Sequence, residues 1–282
     1  MKIIECPRDA MQGIHEFIPT EVKVDYMNHL LQMGFDTLDF GSFVSPKAIP
    51  QLKDTAEVLS QLNLEQSATH LLAIVANTRG ADDACEHEQI KYLGYPFSIS
   101  EKFQQRNTNA SIEESLLRVE AIQERCAKFN KELVLYISMA FGNPYGETWH
   151  PDIAIEWSER LYKELDVKIL ALSDTIGVSN PENIKAMFTA VQAELPNVEF
   201  GAHLHTTPET WKEKVEAAYA AGCRRFDGAI KGYGGCPMAA DELTGNMPTE
   251  RMLEYFEQAE IKTGVRMEHL PDALNRALKI FA

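Results

Sequence analysis

The run His203-Leu204-His205 sets two imidazoles one residue apart. Side chains two positions apart on a β-strand share a face, so both rings can point the same way. Near the start of the chain, Pro7-Arg8-Asp9 follows an apolar run and puts a permanent cation beside a carboxylate. With His203 and His205, Asp9 makes a two-histidine, one-carboxylate set, to which Asn246 can add a neutral oxygen. Mixed nitrogen and oxygen donors with open positions suit Mg2+, Mn2+, Zn2+ or ferrous iron. Residue types alone leave both Lewis-acid and oxygen chemistry open. A further acid, Asp174, sits in Ser173-Asp174-Thr175. The stretch 231–247 is rich in glycine and holds Gly234-Gly235-Cys236-Pro237 and Gly245-Asn246. Long loops of this kind in compact domains often carry binding or lid functions.

Positions so far apart need a scaffold that gathers them. Short β-rich runs alternate with helical stretches from end to end, with strands expected at 2–6, 35–40, 70–76, 90–97, 133–140, 168–174, 198–205 and 225–230. Helices are expected from Pro19-Thr20-Glu21 to Gly34, then at 48–62, 111–130, 151–165, 180–195 and 208–222, and from Pro248-Thr249-Glu250 onward. Ser111-Ile112-Glu113-Glu114 reads as a capping box. Eight strand–helix repeats in ~250 residues point to a single (β/α)8 barrel of the TIM type. The expected core runs to about residue 265, with 266–282 as a C-terminal helical appendage. A doubly wound sheet would carry a glycine-rich phosphate turn after its first strand, and CPRDAMQG is not one. Active sites of α/β barrels lie at the C-terminal ends of the strands. Arg8, Asp9, Asp174, His203 and His205 all fall there.

Composition narrows the function classes. The 282 residues carry 27 basic and 42 acidic side chains, a formal charge of −15, which opposes general nucleic-acid binding. Local basic groups can still receive an anionic small substrate. No stretch approaches the ~20 apolar residues of a membrane span. Five cysteines, Cys6, Cys85, Cys126, Cys223 and Cys236, form no CxxC pair, which argues against a disulfide framework or a structural zinc. Cys6 and Cys223 read as packed small hydrophobes and Cys85 as exposed. Lys47 and Lys231 read as solvated. MKIIEC reads as a strand and not as a signal region, so the cytoplasm is the expected compartment.

Several runs, in order along nearly the whole chain, resemble the 3-hydroxy-3-methylglutaryl-CoA lyase family within the metal-dependent lyase and Claisen-condensing barrels. They are KIIECPRDAMQ, SFVSPK (42–47), SIEES (111–115), GNPYG (142–146), SDTIGV (173–178), HLH (203–205), GGCP (234–237) and GNMPTE (245–250). The resemblance implies retro-Claisen cleavage of a coenzyme A thioester to acetoacetate and acetyl-CoA. It implies that Asp9, His203, His205 and Asn246 hold one divalent cation, Mg2+ or Mn2+. Arg8 would neutralise the enolate oxygen, and Cys236 would serve the cleavage from the glycine loop. Asp174 takes a further active-site position, with His203 or Asp174 as the base, and Glu250 a supporting one. Gln12, Asp39 and Ser42 join Arg8 on the substrate side. A homodimer is compatible with this kind of barrel.

Some positions depart from the family pattern. CPRDAMQ stands for GPRDGLQ, Asp39 for a glutamate, HLHTT for HCHDT with Thr206 replacing an acid, and GNPYG for GCPYEG. None touches the expected ligands, Arg8 or Cys236, but they leave room for a related 3-hydroxyacyl thioester as substrate. A Claisen-condensing synthase joining acetyl-CoA to a 2-oxo acid, of the isopropylmalate or homocitrate type, is the other reading. Such synthases usually carry a further C-terminal domain, whereas 266–282 reads only as an appendage. A binding module without turnover has no need of Arg8, the ligand set and Cys236 together.

Overall fold

The computed structural model describes residues 1–235 and 244–281. Eight strands close in sequence order into a parallel barrel. They are β1 (Lys2–Glu5), β2 (Thr37–Ser42), β3 (His70–Ile74), β4 (Ile90–Ser98), β5 (Glu132–Ser138), β6 (Ile169–Asp174), β7 (Glu199–Leu204) and β8 (Arg225–Gly228). Around and above them run α1 (Pro7–Met11), α2 (Thr20–Met33), α3 (Thr55–Ser60), α4 (Thr78–Cys85), α5 (Glu101–Thr108) and α6 (Ile112–Lys128). The second half adds α7 (Pro151–Leu165), α8 (Pro181–Glu194), α9 (Trp211–Ala220), α10 (Thr249–Gln258) and α11 (Leu270–Phe281). The expected TIM barrel and its C-terminal helix are both present. No helix among the described residues is long and apolar enough to cross a membrane.

Local chemistry accounts for many boundaries. Ser111 accepts from the Glu114 amide while Glu114 reaches back to the Ser111 amide, closing the capping box that opens α6. Gly34 ends α2 at φ 76°, a left-handed conformation that suits a residue without Cβ. Three expectations are corrected. The helix expected at 48–62 is a short 3-10 turn, Pro50–Leu52, followed by α3, because Pro50 disfavours helical backbone at the residue before it, and Ile49 stands at φ −131° and ψ 83°. Helix α5 was not expected, since Phe103 is its single apolar residue; it starts from the Ser100 side chain capping the Phe103 amide. Cys85 is buried, with only 5% of its surface exposed.

Strand register decides which side chains face the barrel axis. Parallel partners share a face, and the pairs Ile4↔Asp227, Leu72↔Asp39 and Ser173↔His203 run through the inward set. Leu72, Ile74, Tyr92, Val134, Tyr136, Ile169 and Ala171 fill the lower interior as one apolar cluster. The alternate residues, such as Ile3, Leu38, Leu71, Leu135 and Leu170, pack outward with the helices in the larger cluster. Above this apolar layer the interior becomes ionisable towards the C-terminal rim, while Arg225, paired with Glu199, closes the opposite end.

Candidate metal and active site

Helix α1 begins where β1 ends. Pro7 occupies its first turn, where a missing amide costs nothing. This turn carries Arg8 and Asp9 over the barrel mouth, each 7% exposed. Asp39 enters from β2 and grips the guanidinium along its Nε–Nη2 edge. Arg8 Nε donates to Oδ1 and Oδ2 at 3.1 Å, and Nη2 donates to Oδ2 at 2.5 Å. Nη1 donates to Asp9 Oδ1 at 2.9 Å and to Gln12 Oε1 at 3.0 Å, while Gln12 Nε2 donates to Asp9 Oδ1 at 2.7 Å. A planar guanidinium held by such a fork has little freedom left. Burial pushes the Asp39 carboxyl up to about 6, against the pull of Arg8.

Asp9, His203 and His205 come together, with one candidate ligand atom from each lying within 4.8 Å of the others. Burial raises the Asp9 carboxyl, but Arg8 and the two histidines outweigh it and hold its pKa below the usual range. The two imidazoles are driven apart. Burial works against charge on His203, yet a hydrogen bond and the charge of Asp227 raise its pKa. Burial and the neighbouring His203 push His205 down to about 4. His205 is therefore neutral near pH 7, and its Nδ1 is buried without a hydrogen-bond partner among the described residues. An unpartnered imidazole nitrogen beside an ionised carboxylate is a donor set that fits a divalent cation.

Asn246 closes the group from the returning loop. Its Nδ2 donates to Asp9 Oδ2 at 2.7 Å and to the Tyr233 carbonyl at 2.9 Å, leaving the amide oxygen as the atom it can offer a cation. Thr206, one of the departures from the family pattern, seats this loop. Its amide donates to the Gly245 carbonyl at 2.8 Å and its hydroxyl to the Asn246 carbonyl at 3.2 Å. Gly234 packs beneath at φ 91°, where a Cβ would lie 2.8 Å from both Ala10 Cα and Asn246 Nδ2. Glycine is required there by conformation and by space.

Two expected site residues spend their side chains on local partners. Asp174 pairs in register with Leu204, on the outward face. Its oxygens accept from the Val178 and Ser179 amides, from Ser179 Oγ at 2.5 Å and from Lys214 Nζ at 2.8 Å. The rim acid read from sequence is thus filled by four donors. Ser42 is 3% exposed and bonds locally, donating to the Ile74 carbonyl at 3.2 Å and accepting from the Val44 amide. Glu250 accepts from the Lys231 amide at 2.8 Å, at the start of the glycine loop. Cys236 lies outside the described residues. Lys47 and Lys231 are exposed.

Sequence reasoning passed over three buried residues that organise this rim. Glu5 accepts from the Ile230 amide at 2.9 Å and from Thr249 Oγ1 at 2.6 Å, tying together both ends of the loop that bears Asn246. Lys214 of α9 donates to Asp174 and also to the His205 carbonyl at 2.9 Å. Asp227 of β8 backs His203. An acid inside an apolar strand, as in KIIE and RFDG, was the available signal for the first and last of these.

The family profile described as HMGL-like matches residues 2–276. The chain belongs to the HMGL-like family. Among HMGL-like relatives, hydroxymethylglutaryl-CoA lyase YngG of Bacillus subtilis is 34% identical over 270 residues, covering 95% of this chain and 88% of the relative. The 3-hydroxy-3-isohexenylglutaryl-CoA/hydroxy-methylglutaryl-CoA lyase of Pseudomonas aeruginosa is 33% identical over 277 residues, covering 98% of this chain and 91% of the relative. The structure of an HMG-CoA lyase from Acinetobacter baumannii in complex with coenzyme A and 3-methylmalate superposes with a TM-score of 0.90 at 29% identity, covering 99% of this chain and 90% of that one.

Proposed function

We propose that this HMGL-like chain is a carbon–carbon lyase that cleaves 3-hydroxy-3-methylglutaryl-CoA to acetoacetate and acetyl-CoA, with Mg2+ or Mn2+ as cofactor. The relatives that align over nearly the whole chain are named for this substrate. The observation that carries the reading is the 2.9 Å contact between Arg8 Nη1 and Asp9 Oδ1. It sets a permanent cation directly against the Asp9, His203 and His205 cluster.

Cleavage removes the proton of a tertiary alcohol, forms a ketone there, breaks the adjacent carbon–carbon bond and leaves the electron pair as a thioester enolate. Protonation of the enolate carbon then completes acetyl-CoA. A divalent cation held by Asp9, His203, His205 and Asn246 supplies Lewis acidity that lowers the pKa of the alcohol. Arg8, immobilised by Asp39, Asp9 and Gln12, meets the charge that develops on the thioester oxygen. A fixed cation needs no reorganisation during the reaction, so its stabilisation is realised where charge appears.

Of the two expected bases, Asp174 has its oxygens filled, and we assign it to holding Lys214 and the loop after β6. His203 contributes through its hold on the cation, since a nitrogen that ligates has no lone pair for a proton. Cys236, on the loop whose ends Glu5 ties down, is assigned to the proton shuttle, because a thiol pKa is readily tuned by its surroundings. Its thiolate takes the alcohol proton and the resulting thiol returns it to the enolate carbon. Gln12 and Asp39 serve the substrate side through Arg8.

The test is a coupled assay for acetoacetate and acetyl-CoA released from 3-hydroxy-3-methylglutaryl-CoA, with Mg2+ or Mn2+ and then with excess chelator. Metal-dependent release of both products supports the reading. No release from the metal-loaded protein would overturn this substrate and turn attention to other thioesters, with Asp39 and Thr206 as the positions to exchange first.

A further inference from the structure

We propose that Asp227 is a positioning residue for the cation site: its carboxylate holds His203 with the proton on Nδ1 and thereby presents the Nε2 lone pair to Asp9 and His205. The inference deepens the proposed function and rests on reading that cluster as a cation site. Strands β7 and β8 pair in the register Gly201↔Arg225 and Ala202↔Phe226, which carries on to bring His203 beside Asp227 on the inward face. His203 Nδ1 lies 3.1 Å from Asp227 Oδ2, with the two side chains 14% and 1% exposed. An ionised carboxylate can only accept, so the shared proton belongs to the ring nitrogen facing it. The other nitrogen is then a lone pair, and it is the one left for the cluster. Tyr136 sets the ring plane from the side, edge-on to His203 with centroids 5.4 Å apart.

Asp227 also lends its charge to Arg225, but no described hydrogen bond joins the two side chains. Arg225 hydrogen-bonds to Glu199 at 3.2 Å, and its Nε and Nη2 have no hydrogen-bond partner among the described residues. Asp227 Oδ1 is likewise buried without one. A carboxylate in this position spends its one described hydrogen bond on His203 and leaves its second oxygen unsatisfied, which costs stability. Such a residue is explained by what it does to the ring it holds. Carboxylates behind metal-ligating histidines fix the tautomer and orientation, and their loss commonly weakens metal binding ~10–100-fold.

The experiment uses the full chain with 15N-labelled histidine, freed of metal, at pH 9, where the ring couplings of the neutral tautomers are distinct. His203 is assigned by comparison with H203Q. Wild type is expected to show His203 as the Nδ1–H tautomer. In D227A, and in the isosteric D227N should the alanine variant not fold, the population should move to Nε2–H, since an asparagine amide can turn to donate to Nδ1. Calorimetric titration of the same samples with Mn2+ should show affinity at least ~10-fold below wild type. An Nε2–H wild type, or variants with wild-type tautomer and wild-type Mn2+ affinity, would overturn the proposal. Failure of the wild type to bind Mn2+ would sink the cation reading beneath it, and the tautomer measurement separates that failure from a failure of Asp227. Neither readout depends on lyase turnover.

Discussion

Lys214 and Asp174 form a 2.8 Å ion pair in which each side chain is 1% exposed. The same ammonium donates to the His205 carbonyl at 2.9 Å and the Gly177 carbonyl at 3.1 Å. One buried cation therefore ties the end of β6 to the backbone of a cation-site histidine. Removing one partner of such a pair strands the other charge, at a cost of ~3–5 kcal/mol. K214M should lose about that much in chemical denaturation, and D174N combined with K214M should recover part of it. Wild-type stability in K214M would mean that Asp174 does not depend on this strut.

Arg8 is expected to act on rate and not on cation binding. With R8Q the donor geometry survives in part, but the permanent charge at the developing oxyanion is gone. Loss of one such group costs ~10²–10³ in kcat. Steady-state kinetics should show at least that fall, with metal content by elemental analysis near that of wild type. Comparable kcat in R8Q would remove the residue from the mechanism.

His203 is expected to act on the metal itself. H203A should lose most bound Mn2+ on dialysis, because it deletes one of three clustered ligand groups. Full occupancy by elemental analysis would contradict the ligand set. D9N should behave in the same direction, since it removes the anionic donor.

Glu5 gives stability a pH signature. Burial raises its carboxyl from the ordinary 4.5 to about 8 in the folded chain. Between those values the native protein keeps a proton that the unfolded chain has released, so stability falls as pH rises. Its contribution is fully present below about 4.5 and lost as pH passes through about 8. Glutamine mimics the protonated form, accepting from the Ile230 amide and donating to Thr249 Oγ1. E5Q should flatten the dependence of Tm on pH over this window and exceed wild type at pH 8. A parallel pair of curves would show that Glu5 is ionised in the native state.

Much of this site was legible in advance because its cues are local. A two-residue spacing in His203-Leu204-His205 fixes a shared face whatever lies around it. Pro7 at a helix start, the Ser111 capping box and the glycines around the loop after β8 each announce their own backbone. Eight alternating repeats then implied a barrel, and a barrel implied that strand ends meet. Where such cues were weak or interrupted, as in α5 with its single apolar residue or at Pro50, the reading of elements failed.

What the chain by itself determined, then, was the barrel, the identity of the rim residues and the family to which they belong. Only the tertiary structure decided which of them share partners. Asp174 and His203 both end a strand, yet register turns one outward to Lys214 and the other inward to Asp227. Glu5, Lys214 and Asp227 work through partners drawn from distant parts of the chain or neighbouring strands, so no spacing could reveal them. Side-chain direction and ion-pair choice depend on barrel closure and on a strand register in which a shift of one residue reverses every face.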